Sequence, residues 1–205
     1  MSSYPIRDQQ TDHLLTPKNA AVLFIDYQPI QVASINSMPR HILVANITNV
    51  AEIATNYGLP VVLSSVNVET GINKPTIPPL QNALKNINAI DRTNVNAWED
   101  KDFNEAVKKT GRKKLVVNAL WTEVCLAFPA LDALNEGYEV YVITDAVGGT
   151  SYNAHKMALK RMEQAGAKLM SIAQFVCELQ RDWARKETAP YMVKALTDVG
   201  AFVEF

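Results

Sequence analysis

The sequence predicts an α/β fold: a doubly wound, mostly parallel six-stranded sheet of order 3-2-1-4-5-6 with helices on both faces. Three observations carry that prediction. Short apolar, β-branched runs recur along the chain, segments with helical spacing lie between them, and glycines close several of those segments. Continuous apolar runs are what strands covered on both faces require.

AAVLFI (20–25) is the first strand. HILVANITNVAEIATNYG (41–58) sets Ile42, Ala45, Val50, Ile53 and Ala54 largely on one face and stops at Gly58, a C-cap ahead of Pro60. PVVLSSV (60–66) is the second strand. The stretch from Thr70 to Trp98 holds three prolines and a short third strand over 88–91, and its remaining turns are expected to form a loop over the site. DFNEAVKKTG (102–111) opens with Asp102 three residues before Glu105, a capping-box spacing, and closes at Gly111. KLVVNAL (114–120), EVYVIT (139–144) and AKLMSI (167–172) supply the last three strands, and SYNAHKMALKRMEQAG (151–166) is the helix between the final two. After the fourth strand, Pro129 removes a helical hydrogen bond, so the helix there either kinks or starts late. AQFVCELQRDWARK (173–186) and PYMVKALTDVG (190–200) are closing helices, apolar enough to dock on the body or on a neighbouring subunit.

Composition narrows the function classes. With 48% apolar and 20% charged residues among 205, the chain can bury a sizeable core. The formal charge of −1 lacks the basic excess that binding nucleic acid or anionic lipid would require. No run approaches the ~20 apolar residues of a membrane span, and the amino terminus is polar where a signal peptide needs an apolar run. Two cysteines are too few for a disulfide framework. The expectation is a cytoplasmic chain with one domain over 1–205, an N-terminal arm of about 1–17 and a C-terminal helical extension of about 173–205. Its expected partners are a small-molecule substrate and further copies of itself, the apolar segment Tyr191 to Phe205 favouring a homo-oligomer, with no nucleic acid and no membrane.

In a doubly wound sheet the ligand crevice lies beyond the carboxyl ends of the first and fourth strands. The first ends at Asp26, an acid directly after an apolar run and therefore expected to be part-buried in the crevice. A helix cap or turn residue is the other role open to it. The fourth leads into Leu120-Trp121-Thr122-Glu123-Val124-Cys125. Thr122 could cap the next helix and leave Cys125 in its first turn, where the dipole favours thiolate; a buried, inert cysteine is the competing reading. Cys177, among Phe175, Val176 and Leu179, reads as core packing. Asn67 and Glu69 end the second strand and are candidates for the same pocket; Trp98, Trp121 and Phe128 are aromatic neighbours.

No metal and no cofactor are expected. His13, His41 and His155 form no ligand pair, and His41 and His155 read as surface or packing residues on helices. The first strand runs into Asp-Tyr-Gln-Pro rather than a glycine fingerprint, and Gly148-Gly149 is explained by a tight turn. The basic run Lys108, Lys109, Arg112, Lys113 and Lys114 reads as a solvated helix end.

Taken in order, the apolar strand ending in Asp26-Tyr27-Gln28, Arg92 followed by Asn96-Ala97-Trp98, and Thr122-Glu123-Val124-Cys125 resemble the isochorismatase-like cysteine hydrolases over about residues 18–185. TEVC with AFPALDAL behind it, NAW, and CELQRDW near the tail are most similar to the YcaC-type subgroup. The resemblance implies a triad at the carboxyl edge of the sheet, with Asp26 as general base and Cys125 as nucleophile. Its third place, usually Lys, is Arg92 here, which can hold charge and cannot relay a proton. It further implies a cis Leu120-Trp121 peptide, an oxyanion hole from the backbone N–H groups of Trp121 and Cys125, and a closed homo-oligomer; Thr122 and Trp98 join Asn67 and Glu69 as candidates for substrate contact. The implied activity is hydrolysis of a small-molecule C–N, amide-like bond through an acyl-Cys125 intermediate. A non-catalytic scaffold that keeps the fold, with Arg92 as the degenerate position, is the alternative.

Overall fold

The computed structural model describes residue 5 and residues 7–202. The first part of the expected arm, residues 1–4 and 6, and the last three residues of the apolar tail, 203–205, lie outside the described residues.

Six strands, β1 (Ala20–Ile25), β2 (Val61–Val66), β3 (Ala89–Arg92), β4 (Lys114–Ala119), β5 (Glu139–Ile143) and β6 (Lys168–Met170), form one sheet of order β3-β2-β1-β4-β5-β6. Every pairing is parallel. The helices are α1 (Pro29–Ala33), α2 (Arg40–Asn56), α3 (Pro78–Ala83), α4 (Lys101–Lys109), α5 (Ala127–Asn135), α6 (Tyr152–Gln164), α7 (Ile172–Gln180) and α8 (Ala189–Asp198). β1 and β4 are buried at every position, which explains their uninterrupted apolar character.

Alternating side chains divide the core between the two faces. Val22 and Phe24 pack with Leu43, Ile47 and Val50 of α2, Leu80 of α3, Phe175 of α7 and Leu196 of α8. Leu23 and Ile25 pack with Phe103 of α4, Ala130 of α5 and Met162 of α6. The register keeps the strand ends level: Ile25 lies opposite both Ser64 and Ala119, and Val66 lies opposite Arg92. Asp26, Asn67, Arg92 and Leu120 therefore emerge along one edge.

Local differences from the sequence reading have identifiable causes. α4 starts two residues earlier than a cap at Asp102 implies: its cap is Asp100, whose carboxylate accepts from Phe103 N at 2.9 Å, and Asp102 falls inside the first turn. α7 stops at Gln180 because Arg181 takes φ 61°, and the buried Gln180 amide donates to the carbonyls of Asp182 (2.7 Å) and Arg185 (3.2 Å), fixing a loop where a longer helix was expected. Cys177 is exposed, which corrects its assignment to the core: Phe175, Val176 and Leu179 share the inward face of α7, and Cys177 lies on the opposite one. Lys114 is not part of a solvated helix end either. It opens β4, is buried, and donates to the carbonyls of Asp12 (2.7 Å) and His13 (2.6 Å), pinning the arm across the amino-terminal edge of the sheet.

Phe24 is fully buried in the central strand. Phe24→Ala is expected to lower the unfolding free energy by about 3–5 kcal/mol, read as an earlier urea midpoint with an unchanged slope; a shift below about 1 kcal/mol would mean that this face of the sheet is not a packed core.

Candidate active site

Asp26 follows Ile25 directly and leaves the strand conformation at φ 61°, a region that non-glycine residues occupy at some cost. Its N–H still donates to Ser64 O (3.0 Å), so the chain turns while anchored to β2. Gln28, fully buried two residues on, closes the gap between strand ends. Its side-chain nitrogen donates to Val66 O (3.1 Å) and Lys74 O (2.7 Å), and its oxygen accepts from Val66 N (2.9 Å). Tyr27, also fully buried, donates its hydroxyl to Ala146 O at 2.8 Å.

Arg92, the last residue of β3, points its guanidinium at Asp26. Nη2 donates to Asp26 Oδ2 at 2.6 Å, Nη1 donates to Asn94 O at 2.6 Å, and neither side chain of the pair has any exposed surface. Asn67, at φ 60°, donates its N–H to Arg92 O at 2.8 Å. Asp91 organises the same turn by accepting from Val68 N, Glu69 N and Ser65 Oγ. Backbone bonds thus hold Asn67 against Arg92, while Glu69 is fixed through its own N–H and leaves its side chain exposed.

The Leu120–Trp121 peptide is cis. Beyond it Thr122–Leu126 form a π-helical turn in which Leu126 N donates back to Trp121 O at 3.1 Å. The π-helical turn runs directly into α5, Ala127 N donating to Thr122 O, so the chain changes from wide to regular helical bonding just ahead of Pro129, which has no N–H to give. Cys125 is 9% exposed. The Asp26 carboxylate and the Trp121 N–H are near enough to act on its thiol, and Asp26 Oδ1 has no hydrogen-bond partner among the described residues.

Electrostatics define the resting state. Burial pushes the Cys125 thiol up, and the charge of Asp26 and its hydrogen bond push further, to about 12; Arg92 and the Trp121 N–H act in the opposite direction and lose. Of the two readings open to Cys125, a thiolate favoured by a helix dipole and a buried thiol, desolvation and the neighbouring carboxylate favour the second, since they outweigh a single irregular turn. Burial likewise raises the Asp26 carboxyl above the ordinary carboxylate range, against the Arg92 guanidinium and the Cys125 thiol. The resting site therefore holds a protonated thiol facing an acid–guanidinium pair.

Thr122 is not a helix cap: Trp121 occupies that position with no side-chain bond, and the fully buried Thr122 hydroxyl lies 2.9 Å from His155 Nδ1. Trp98 is buried in the cluster that also contains Cys125, with its indole N–H donated to Glu136 Oε1 at 2.8 Å and its ring edge-on to Tyr138. Trp121 is half-buried and donates its indole N–H to Ser34 Oγ at 2.6 Å. Sequence reasoning missed Gln28, Asp91 and His155 as builders of this edge. Gln28 could have been found as a polar residue three places beyond a buried strand end; Asp91 and His155 carry no local signal. Gly148 and Gly149 do more than turn the chain: a Cβ on Gly148 would lie 2.8 Å from Ile35 Cγ2, and one on Gly149 would lie 2.5 Å from Glu123 Oε2. Among the described residues no three His, Cys, Asp or Glu side chains gather as a metal would require, and no helix is long and apolar enough to cross a membrane.

Residues 20–174 match the isochorismatase domain family. The chain is 39% identical over 170 residues to the probable hydrolase YcaC of Escherichia coli strain K12, a match that covers 82% of this chain and 81% of that protein. The crystal structure of the YcaC gene product from E. coli, described as an octameric hydrolase of unknown specificity, superposes with a TM-score of 0.84 at 36% identity over 91% of each chain. YcaC from Pseudomonas aeruginosa, solved with hexane-2,5-diol and covalent acrylamide, gives 0.85 at 36% identity over 92% of each. A pyrazinamidase/nicotinamidase from Streptococcus mutans, 20% identical with a TM-score of 0.63, shares the fold. A parallel sheet of this order and a family match over three quarters of its length make the chain a member of the isochorismatase family, similar throughout to its YcaC proteins.

Proposed function

We propose that the chain is a cysteine hydrolase of small amide-like C–N bonds, with Cys125 as nucleophile, Asp26 as general base and acid, and Arg92 as a fixed positive charge. The observation that carries this reading is the convergence of the three side chains, from the ends of β1, β3 and β4, with Arg92 Nη2 at 2.6 Å from Asp26 Oδ2 and the Cys125 thiol facing the same carboxylate. Family membership and the hydrolase relatives support it.

Each step follows from the groups present. The Cys125 sulfur attacks a planar carbonyl carbon as its proton passes to Asp26, and the carbonyl π pair moves onto oxygen, where the Trp121 and Cys125 N–H groups are suited to receive it. Collapse re-forms the carbonyl and breaks the C–N bond, and Asp26 gives the proton to the departing nitrogen. Water then attacks the acyl-Cys125 thioester, losing a proton to Asp26. The sulfur leaves and recovers that proton, and the carboxylic acid product departs. A thiol deprotonated by its own base in the transition state needs no preformed thiolate, so a raised pKa does not favour an inert scaffold. Arg92 keeps its proton throughout, which confines proton traffic to Asp26 and Cys125. Asn67, Glu69, Trp98 and Thr122 remain candidates for substrate contacts, and a closed homo-oligomer is the assembly we assign, supported by the octameric E. coli relative.

Cys125→Ala is expected to abolish turnover of a panel of small amides and the acyl adduct seen by mass spectrometry, while Cys177→Ala keeps both; loss in neither variant, or in both, would overturn the assignment. Asp26→Asn should uncouple reactivity from catalysis. Removing the carboxylate removes two of the influences that raise the thiol, so the pH midpoint of Cys125 alkylation falls below about 12 while turnover is lost. The same variant strands a buried guanidinium and should lose about 3–5 kcal/mol of stability. An unchanged or higher midpoint would show that Asp26 does not face the thiol. Arg92→Met should shift the midpoint up, and Arg92→Lys should retain substantial turnover; an identical midpoint in native, Lys and Met proteins would remove Arg92 from the site.

A further inference from the structure

The mechanism leaves a polar cluster unused behind the nucleophile. The turn Thr122–Leu126 carries Cys125 on a π-helical geometry, which lacks the regular bond ladder of an α-helix and needs other contacts to hold it. Those contacts come from the segment that joins β5 to α6 and from α6 itself. Thr122 N donates to Gly148 O at 2.9 Å, and Thr150 donates from both its N–H (2.9 Å) and its hydroxyl (2.6 Å) to Glu123 Oε1. The fully buried Thr122 hydroxyl meets His155 Nδ1 at 2.9 Å.

His155 is itself held in place. It lies in the first turn of α6, whose cap Ser151 accepts from Ala154 N at 3.1 Å through its hydroxyl, and His155 N donates to Ser151 O at 3.1 Å. The close approach of α6 to the nucleophile turn depends on Gly149: a Cβ there would lie 2.9 Å from His155 Cβ as well as against Glu123. A fully buried hydroxyl directed at an imidazole and a glycine that makes room for that imidazole are separate observations, and both point to the same contact.

We propose that His155 is a positioning residue, whose Nδ1 accepts the Thr122 hydroxyl proton in a hydrogen bond and thereby fixes the turn that aims Cys125 at Asp26. The inference rests on Cys125 being the nucleophile. Burial lowers the imidazole from its ordinary range, with the Glu123 carboxylate opposing, so the neutral ring can offer Nδ1 as acceptor. His155 acts through Thr122 and is assigned no contact with substrate. A small displacement of the turn would lengthen the reach from thiol to base, and reaction rates are steeply sensitive to such geometry.

The test is turnover of the small-amide panel by the full-length protein, with the pH midpoint of Cys125 alkylation by iodoacetamide read in parallel by mass spectrometry and Cys177, exposed on α7, as the internal reference. His155→Leu is expected to lower kcat roughly tenfold and to shift the Cys125 midpoint down, as Asp26→Asn does, because a thiol moved off the carboxylate is freed from its charge. His155→Asn, whose side-chain oxygen can accept from the same hydroxyl, should restore most of both. Thr122→Val keeps the side-chain shape, removes only the hydroxyl and is expected to match His155→Leu, with the double variant no lower in kcat than either single one. A native kcat in His155→Leu or Thr122→Val, a failure of the Asn variant to recover, or additive losses in the double variant would each overturn the proposal. If the native protein forms no acyl-Cys125 adduct with any amide of the panel, the nucleophile reading itself fails, and the positioning role falls with it.

Discussion

The carboxyl edge of the sheet is organised around a buried ion pair. Removing a carboxylate and a guanidinium from water costs several kcal/mol for each, and Asp26 and Arg92 have no solvent-exposed side-chain surface. Their short contact and the Asn94 carbonyl on Nη1 offset part of that cost. Much of the neighbouring polar structure keeps the pair in register. The parallel pairing brings the ends of β1, β2 and β3 level, Gln28 bonds both backbone groups of Val66, and Asp91 satisfies the N–H groups of the following turn. Asp26 and Asn67 hold left-handed backbone conformations because the anchors on either side leave them no alternative.

Together with burial, that pair sets the protonation of Cys125. A lone guanidinium near a cysteine would draw out a thiolate. Here the guanidinium is already engaged by Asp26, whose own charge acts on the thiol in the opposite direction. Burial and Asp26 together exceed Arg92 and the Trp121 N–H, and the thiol stays protonated. Arg92 reinforces this arrangement, because a guanidinium keeps its proton at any ordinary pH. A buried, protonated thiol is also less open to oxidation, which follows thiolate character and exposure.

How far these features were legible in the sequence depends on how local their causes are. The strands were legible because burial on both faces writes an uninterrupted apolar run, as in AAVLFI and KLVVNA. Asp26 was legible because a polar residue just past such a run marks a strand end, whereas Cys125, in the turn beyond β4, was placed at that edge by strand order and by the family resemblance. The face on which Cys177 sits was not, since apolar neighbours in sequence did not fix its angular position on α7. Lys114 looked like one more member of a basic run, and its burial depends on carbonyls about 100 residues away. The partner of Thr122 lies 33 residues on, and Gln28 bonds to groups 38 and 46 residues on. Such pairings arise from the crossover topology, which brings sequence-distant loops to one edge and leaves no periodic trace.

The two faces of the sheet contribute unequally to that edge. Cys125 and Trp98 belong to the cluster under α4, α5 and α6, whereas Tyr27 and Ile35 belong to the cluster under α2, α7 and α8. The β5–α6 segment joins the two: Ala146 accepts the Tyr27 hydroxyl, Gly149 O accepts from Asn36 N, and Gly148 O accepts from Thr122 N. Tyr27, next to Asp26, and Cys125 thus belong to different layers, and the glycine pair lets a single segment approach Ile35 on one side and Glu123 and His155 on the other. Protein interiors transmit displacement because they are packed without slack, so a change in either layer that moved this segment would alter the distance between carboxylate and thiol. The position of Cys125 is in that sense a property of the whole sheet and of the loop that bridges its faces.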